Sequence, residues 1–217
     1  MTRSDFLRAR RPEHKQQRRE AILAAARELA RGSGVRNVSL GAVASAVGLA
    51  KSNVVRYFGT REEIYLELAA DEWREWAAEA GARVAAAGGT AEAMSALAET
   101  LVERPLFCDL LSHTATTLEH NVSVPAARAF KHTVLSTVAE LGARIARGTG
   151  LTEREGQELA AVATGMAGML YPAANPSPAL AQVYAEDPEL AANCPDLMPT
   201  LVRALSAFAA GLPALRD

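Results

Sequence analysis

Apolar positions along the chain recur at spacings of three and four and nowhere alternate over a strand-length run, which is the signature of helices. From about His14 to Arg31, Ile22, Leu23, Ala26, Leu29 and Ala30 fall on one helical face. Gly32-Ser33-Gly34 stops that helix, and Val35 and Val38 turn back toward a small core. Ser39 is a good N-cap for a short helix to Val47, with Leu40, Val43, Ala44 and Val47 on its apolar side. Gly48 ends it, a second short helix follows over about Lys51–Phe58, and Gly59 breaks the chain again. Thr60-Arg61-Glu62-Glu63 reads as a capping box that opens a long helix, about Arg61–Ala86, with Ile64, Tyr65, Leu68, Trp73 and Trp76 inward.

The second half predicts five longer helices, at about Thr90–Glu103, Pro105–His120, Val124–Arg147, Thr152–Tyr171 and Asp196–Gly211. The third carries Ala127, Phe130, Val134, Val138, Leu141 and Ile145 at helical spacing. The stretch 172–199 holds six of the ten prolines and reads as a long connection with a short helical piece near Ala179–Ala185. Alanine, the best helix former and a poor strand former, supplies 46 of the 217 residues. The expected fold is all-α.

Charge changes the picture. The formal net charge of −2 conceals a basic head and an acidic body: residues 1–66 carry 13 Lys/Arg against 6 Asp/Glu, and residues 67–217 carry 10 against 19. Two cysteines, Cys108 and Cys194, cannot make a disulfide framework, which points to a reducing cytoplasm. Cys108, beside Phe107, reads as a buried small hydrophobe. No apolar run reaches the roughly 20 residues of a membrane span. Arg8, Arg10, Arg11 and Lys15 interrupt any signal-peptide core. Residues 1–13 read as a loose basic arm; with Lys15, Arg18 and Arg19 it forms either a solvated tail or a phosphate and minor-groove contact.

Two short helices joined by Gly48-Leu49-Ala50 in the basic region predict a helix-turn-helix, the first bracing and the second entering the major groove. On the second, Val54 and Phe58 belong to the core by period. Lys51, Ser52, Asn53, Arg56 and Tyr57 face outward with groups suited to phosphates and base edges. The run from Val38-Ser39-Leu40 through Ala44-Ser45-Ala46-Val47-Gly48-Leu49-Ala50-Lys51-Ser52-Asn53-Val54-Val55-Arg56-Tyr57-Phe58-Gly59-Thr60-Arg61-Glu62-Glu63-Ile64-Tyr65 resembles the signature of TetR-family transcriptional regulators. The resemblance covers about residues 16–66. It implies a homodimer of about nine helices per subunit, a helical effector-binding and dimerisation domain, and repression relieved by a small molecule.

Position by position, the resemblance makes Ser39 the cap of the second helix and a phosphate contact. It makes Lys51, Ser52, Asn53 and Tyr57 DNA contacts on the third, and Arg61 a basic residue near phosphate at the start of the fourth. Two residues depart from the pattern: Ala50 stands at an N-cap commonly Ser or Thr, and Val55 stands where a Tyr is common. The domains expected are the arm (1–13), the helix-turn-helix (14–60) and the helical effector-binding and dimerisation domain (61–217). The partners expected are double-stranded operator DNA, a second copy and an unidentified small effector, with no membrane. The fourth helix spans both parts and is the expected transmitter.

For an effector pocket the candidates are Trp73, Trp76, Phe107, Phe130, Met166 and Met169, with polar groups from His113, Thr117 and His120 along one side of their helix. For the dimer face they are the small-residue stripe Ala161, Gly165 and Gly168, with Leu201, Leu205 and Phe208, because the family pairs subunits through its last two helices. His113 and His120 lack companions at ligand spacing, so no metal or cofactor is expected. No nucleophile–base motif or phosphate-cradling loop points to an enzyme. The rival reading is a helical interaction module recruiting a protein through residues 172–195.

Overall fold

The computed structural model describes residues 3–216, with side chains from residue 13 onward. Among the described residues there is no strand, and the fold is all-α. The head comprises α1 (Arg3–Ser33), a 3-10 turn (Val35–Asn37), α2 (Leu40–Ala46) and α3 (Lys51–Val55). The body comprises α4 (Arg61–Ala86), α5 (Thr90–Val102), α6 (Pro105–His113), α7 (Val124–Thr149), α8 (Glu153–Ala174), α9 (Pro178–Glu186), α10 (Pro188–Ala191) and α11 (Leu197–Gly211).

In the head, Ile22, Ala26 and Ala30 of α1 meet Val35, Val38, Val43, Ala44, Val54 and Phe58, all buried. Buried Ile64, Tyr65 and Leu68 of α4 close the same core. Farther along α4, Trp73 and Trp76 pack edge-to-face at 5.7 Å and both touch the Phe107 ring of α6, at 5.5 and 5.7 Å. The indole N–H of Trp76 donates to Thr100 Oγ1 at 3.1 Å, so this aromatic cluster is filled and satisfied. Cys108 is fully buried as expected; burial, seconded by the Asp109 carboxylate, pushes its thiol up to about 12.

Four elements differ from expectation. The helix α1 begins at Arg3, where a loose arm was expected; Pro12 removes one backbone bond without ending it. The side chains of residues 1–12, including Arg3, Arg8, Arg10 and Arg11, lie outside the described residues. The helix α6 stops at His113 and continues as a π-helical turn, Thr114–Leu118. There the hydroxyls of Thr114 and Thr116 bond the carbonyls of Leu110 (2.7 Å) and Ser112 (3.3 Å), competing with the backbone ladder. The helix α8 runs through Pro172 to Ala174. Finally, α10 forms inside the proline-rich stretch, where Asp187 Oδ1 accepts from the N–H groups of Glu189 and Leu190 and Pro188 takes the first turn.

The segment Leu197–Leu215, 19 residues with a mean hydropathy of 1.3 over its most apolar window, passes a membrane-span test by length and composition only. Here it is α11 and the turn after it. Leu201, Leu205 and Ala209 pack inward toward α5 and α8, while Arg203, Ala207 and Ala210 lie exposed.

The helices α7 and α8 cross closely at a pair of glycines. A Cβ on Gly156 would stand 2.2 Å from the carbonyl oxygen of Gly142, and one on Gly142 would stand 2.7 Å from the backbone nitrogen of Gln157. Backbone meets backbone there, so no flexible side chain can yield. Gly156→Ala is therefore expected to destabilise the fold by about 1–3 kcal/mol, read as a fall of several degrees in the thermal midpoint. A midpoint equal to that of the unaltered protein would contradict this packing.

Candidate nucleic-acid interface

The candidate surface is built by α2, α3 and the start of α4. Ser39 Oγ accepts from the N–H of Ala42 at 3.1 Å, the N-cap expected for α2. Ala50 makes no side-chain cap for α3, which spans only Lys51–Val55 before a turn completes the expected Lys51–Phe58 segment. Val54 and Phe58 are buried beneath it. Lys51, Ser52, Asn53 and Arg56 are exposed and Tyr57 is half-buried, so the expected outward set does share one surface. Val55, unable to hydrogen-bond, is 41% exposed on the same short helix. Its methyls are an apolar part of this surface that a search for polar groups passes over.

Arg61, at the start of α4 as expected, is engaged within the subunit. Its Nε donates to the carbonyl of Val38 at 2.5 Å and its Nη2 to that of Val35, while the guanidinium lies 4.7 Å from the Tyr65 ring centre. It braces the 3-10 turn rather than presenting a free cation. Arg19 is likewise committed: it pairs with Glu67 of α4 and stacks 4.3 Å over the Phe58 ring. Among the described residues Arg36, Lys51 and Arg56 have no acidic partner within ion-pair distance.

Three polar clamps hold this surface to the body. Asp109 of α6 accepts the N–H of buried Val35 at 2.7 Å through one oxygen, while its other oxygen lies 3.4 Å from His113 Nε2. The turn before α7 docks on the start of α4: Thr60 Oγ1 donates to the carbonyl of Asn121 (2.8 Å) and the Asn121 amide donates to Glu62 (3.1 Å). The N–H of Ser123 donates to Glu63 at 2.9 Å. Only half of the expected capping box therefore forms: Thr60 accepts from Glu63 N at 3.1 Å, but the Glu63 carboxylate serves the body instead of turning back. Third, Glu72 of α4, 4% exposed, lies 3.5 Å from Arg27 of α1 and 3.4 Å from Arg104 at the start of α6. Burial raises the pKa of its carboxyl, and Arg27 and Arg104 pull it back down. Asp109, Glu72 and Asn121 were missed because their role exists only across the tertiary seam.

The nine pocket candidates are not brought together. Trp73, Trp76 and Phe107 are the packed cluster already described. Met169 (67% exposed) and His120 lie on the surface, and Met166 is half-buried. With α6 ending at His113, the expected His113–Thr117–His120 line is broken. Three hollows lie instead along the seam. One, about 690 Å³, is lined by Ala30 and Gly34 of the head and by Glu72, Arg104, Asp109 and Tyr171 of the body, among others. Phe130 lines a second of about 320 Å³ with Arg19 and Phe58, and His113 and Thr117 line a third of about 350 Å³ with Val35, Arg36 and Arg61.

The dimer candidates also divide. Ala161 and Gly165 are exposed, with Met169 one turn on, and Phe208 is half-buried. Leu201 and Leu205 are fully buried within the subunit. Gly168 faces inward, where a Cβ would stand 3.0 Å from the backbone of Leu111. A helical period identifies a face but not which neighbour covers it.

A profile for bacterial regulatory proteins of the tetR family matches residues 22–68, and one for the tetracyclin repressor-like C-terminal domain matches residues 70–216. Comparison with curated proteins finds no match. The fold is similar to FadR from Thermus thermophilus, a TetR family transcriptional repressor solved in complex with lauroyl-CoA, at TM-score 0.57 and 18% identity, covering 92% of this chain and 96% of that one. It is similar to the fatty acid degradation regulator FadR from Bacillus halodurans at 0.57 and 13%, covering 92% and 97%. A tetR-family transcriptional regulator from Streptomyces coelicolor gives 0.50 and 19%, covering 88% and 89%. At these identities the solved structures speak for the fold, while the two profiles together span nearly the whole length. The chain belongs to the TetR family and is a DNA-binding transcriptional regulator.

Proposed function

We propose that this protein is a ligand-responsive repressor that binds a palindromic operator as a homodimer in the cytoplasm and is released by a small apolar or amphipathic molecule. The observation that carries the reading is the exposed set on α3, held to the body by polar clamps around the apolar core that α4 shares with the head. Lys51 and Arg56 serve phosphates, and Ser39 assists from the cap of α2. Ser52, Asn53 and Tyr57 supply hydrogen bonds to base edges, and Val55 offers methyls to a thymine. Selection of bound genomic fragments supplies the operator. On it, Asn53→Ala with Tyr57→Ala is expected to lower specific affinity by about 10-fold or more while leaving affinity for mixed-sequence duplex nearly unchanged. Equal losses on both duplexes would assign these residues to phosphate rather than to sequence.

In this reading the effector occupies the hollows along the seam and shifts the clamps, so that the two reading heads lose the spacing of half-sites, about 34–36 Å or a multiple of it. That one relative is solved with lauroyl-CoA supports an amphipathic molecule as the first class to try. Asp109→Ala leaves the N–H of Val35 buried without its partner, a loss of about 1–3 kcal/mol. Expected outcomes are faster amide exchange at Val35 and Arg36 and weaker operator binding, with the α7–α8 crossing as protected as before. Unchanged exchange at the turn would remove Asp109 from the coupling.

Dimerisation is placed on the outer faces of α8 and α11, where Gly165, Met169 and half-buried Phe208 and Val202 are available. The intervening α9 and α10 have no buried residue and leave Leu180, Val183 and Leu190 at 39%, 41% and 47% exposure. Gly165→Glu with Met169→Glu, both exposed in the subunit, is expected to give a folded monomer by sedimentation with weakened operator binding. A dimer that persists would move the interface elsewhere. The rival interaction-module reading draws on the same exposed α9–α10 side chains. It would be favoured by Leu180→Glu with Val183→Glu abolishing a heteromeric complex while dimer and operator binding survive.

A further inference from the structure

We infer that Arg36 is a DNA phosphate contact, made in the open hollow it shares with Ser39, Lys51 and Thr60. The inference rests on the DNA-binding reading and adds a residue outside the two short helices. That hollow, about 520 Å³, runs from the 3-10 turn past the caps of α2 and α4 and is also lined by Asn37, Arg61, Glu62 and Asn121.

Its charge is one-sided. Arg36, Lys51 and Arg61 face a single lining carboxylate, Glu62, and that carboxylate is already engaged by Arg61 at 3.3 Å and by the Asn121 amide at 3.1 Å. Arg36 and Lys51 have no acidic partner among the described residues. Most arginines of the seam are paired: Arg19 with Glu67, Arg27 with Glu72, Arg104 with Glu79. An unneutralised pair around an open hollow is a place where condensed counterions, and hence a phosphate, collect.

Arg36 is also held in place. The N–H of Val35 is bound by Asp109, and Arg61 binds the carbonyls of Val35 and Val38. Asn37 Nδ2 donates to Ser33 O at 2.7 Å, and Gly34, at φ 82, makes the entry that an L side chain rarely adopts. A turn that only joined two helices would not need side chains from α4 and α6 to pin it. Pinning the backbone on both sides of Arg36 reduces the entropy lost when its side chain engages a ligand. The guanidinium fork suits phosphate oxygens, and the Ser39 hydroxyl, whose oxygen already accepts from Ala42, keeps its own hydrogen to donate.

The test measures binding of the full-length protein to a mixed-sequence duplex of about 40 base pairs over a salt series. Arg36→Ala is expected to reduce the magnitude of the slope of log K against log salt by about 0.9 per protomer, and Arg36→Gln, which keeps the stem, to do the same. Arg36→Lys restores most of the slope. Arg147→Ala, exposed at the other end of α7, leaves it unchanged. If Lys51→Ala lowers the slope while both neutral Arg36 variants leave it at the wild-type value, the inference is overturned and the DNA-binding reading stands. Wild-type binding without salt dependence would instead overturn the reading beneath it.

Discussion

A carboxylate with almost no access to water sets how the two parts of this protein meet. Glu72 projects from α4 into the space between α1 and the start of α6, where Arg27 and Arg104 reach it from opposite sides. Its charge is tolerated only while both arginines are present, because an ion removed from water loses several kcal/mol of hydration. The arrangement adds little net stability compared with an apolar core. It adds specificity: α1 cannot slide or rotate on α4 without separating Arg27 from Glu72. The direction in which the recognition helix points is therefore tied to a contact about three turns away along α4.

The other clamps share this character. Asn121 on Thr60 and Glu62 and Ser123 on Glu63 are hydrogen bonds at exposed positions, whereas Asp109 holds the N–H of buried Val35. Water can replace the exposed ones at small net cost, but loss of Asp109 would leave a buried donor unpaired, and separating Ile64 or Leu68 from the head core would expose apolar surface at about 25 cal/mol per Å². The seam thus has an apolar pivot around the first turns of α4 and a polar perimeter. That combination explains why the hollows collect at the perimeter: pairing arginines with carboxylates fills space less completely than the interdigitation of Trp73, Trp76 and Phe107.

Legibility from sequence follows the range of the interactions involved. The limits of α4 are plain because Thr60 and Gly88-Gly89 are local signals, and α2 and α3 follow from Ser39, Gly48 and Gly59. The buried position of Val54 and Phe58 under α3 follows from period alone. The misplaced residues depended on partners distant in sequence. Arg61 turns inward because the carbonyls of Val35 and Val38 wait there, and Glu63 leaves its own cap because Ser123 arrives. Leu201 and Leu205 carry the right spacing for a pairing face, yet α5 and α8 of the same subunit cover them. Residue type alone does not mark a pocket: aromatic side chains fill space wherever helices leave it, and Trp73, Trp76 and Phe107 fill the body core.

The basic head acquires a more specific meaning. Its excess of 7 over residues 1–66 counts every arginine equally, but Arg19, Arg27, Arg31 and Arg61 are neutralised or braced within the subunit. Arg36, Lys51 and Arg56, which have no acidic partner among the described residues, lie within the turn, α3 and its C-cap. In the proposed reading, each arginine bound to a carboxylate at the seam is withdrawn from nonspecific attraction for phosphate, while these three stay available to it on the surface of the head. The same pairings orient that surface, through Arg27 on Glu72 and Arg61 on the turn that carries Arg36. In the proposed reading, charge patterning therefore has two uses: the unpaired cations of the turn and α3 attract DNA, and the paired ones set the angle at which the head is held on the body.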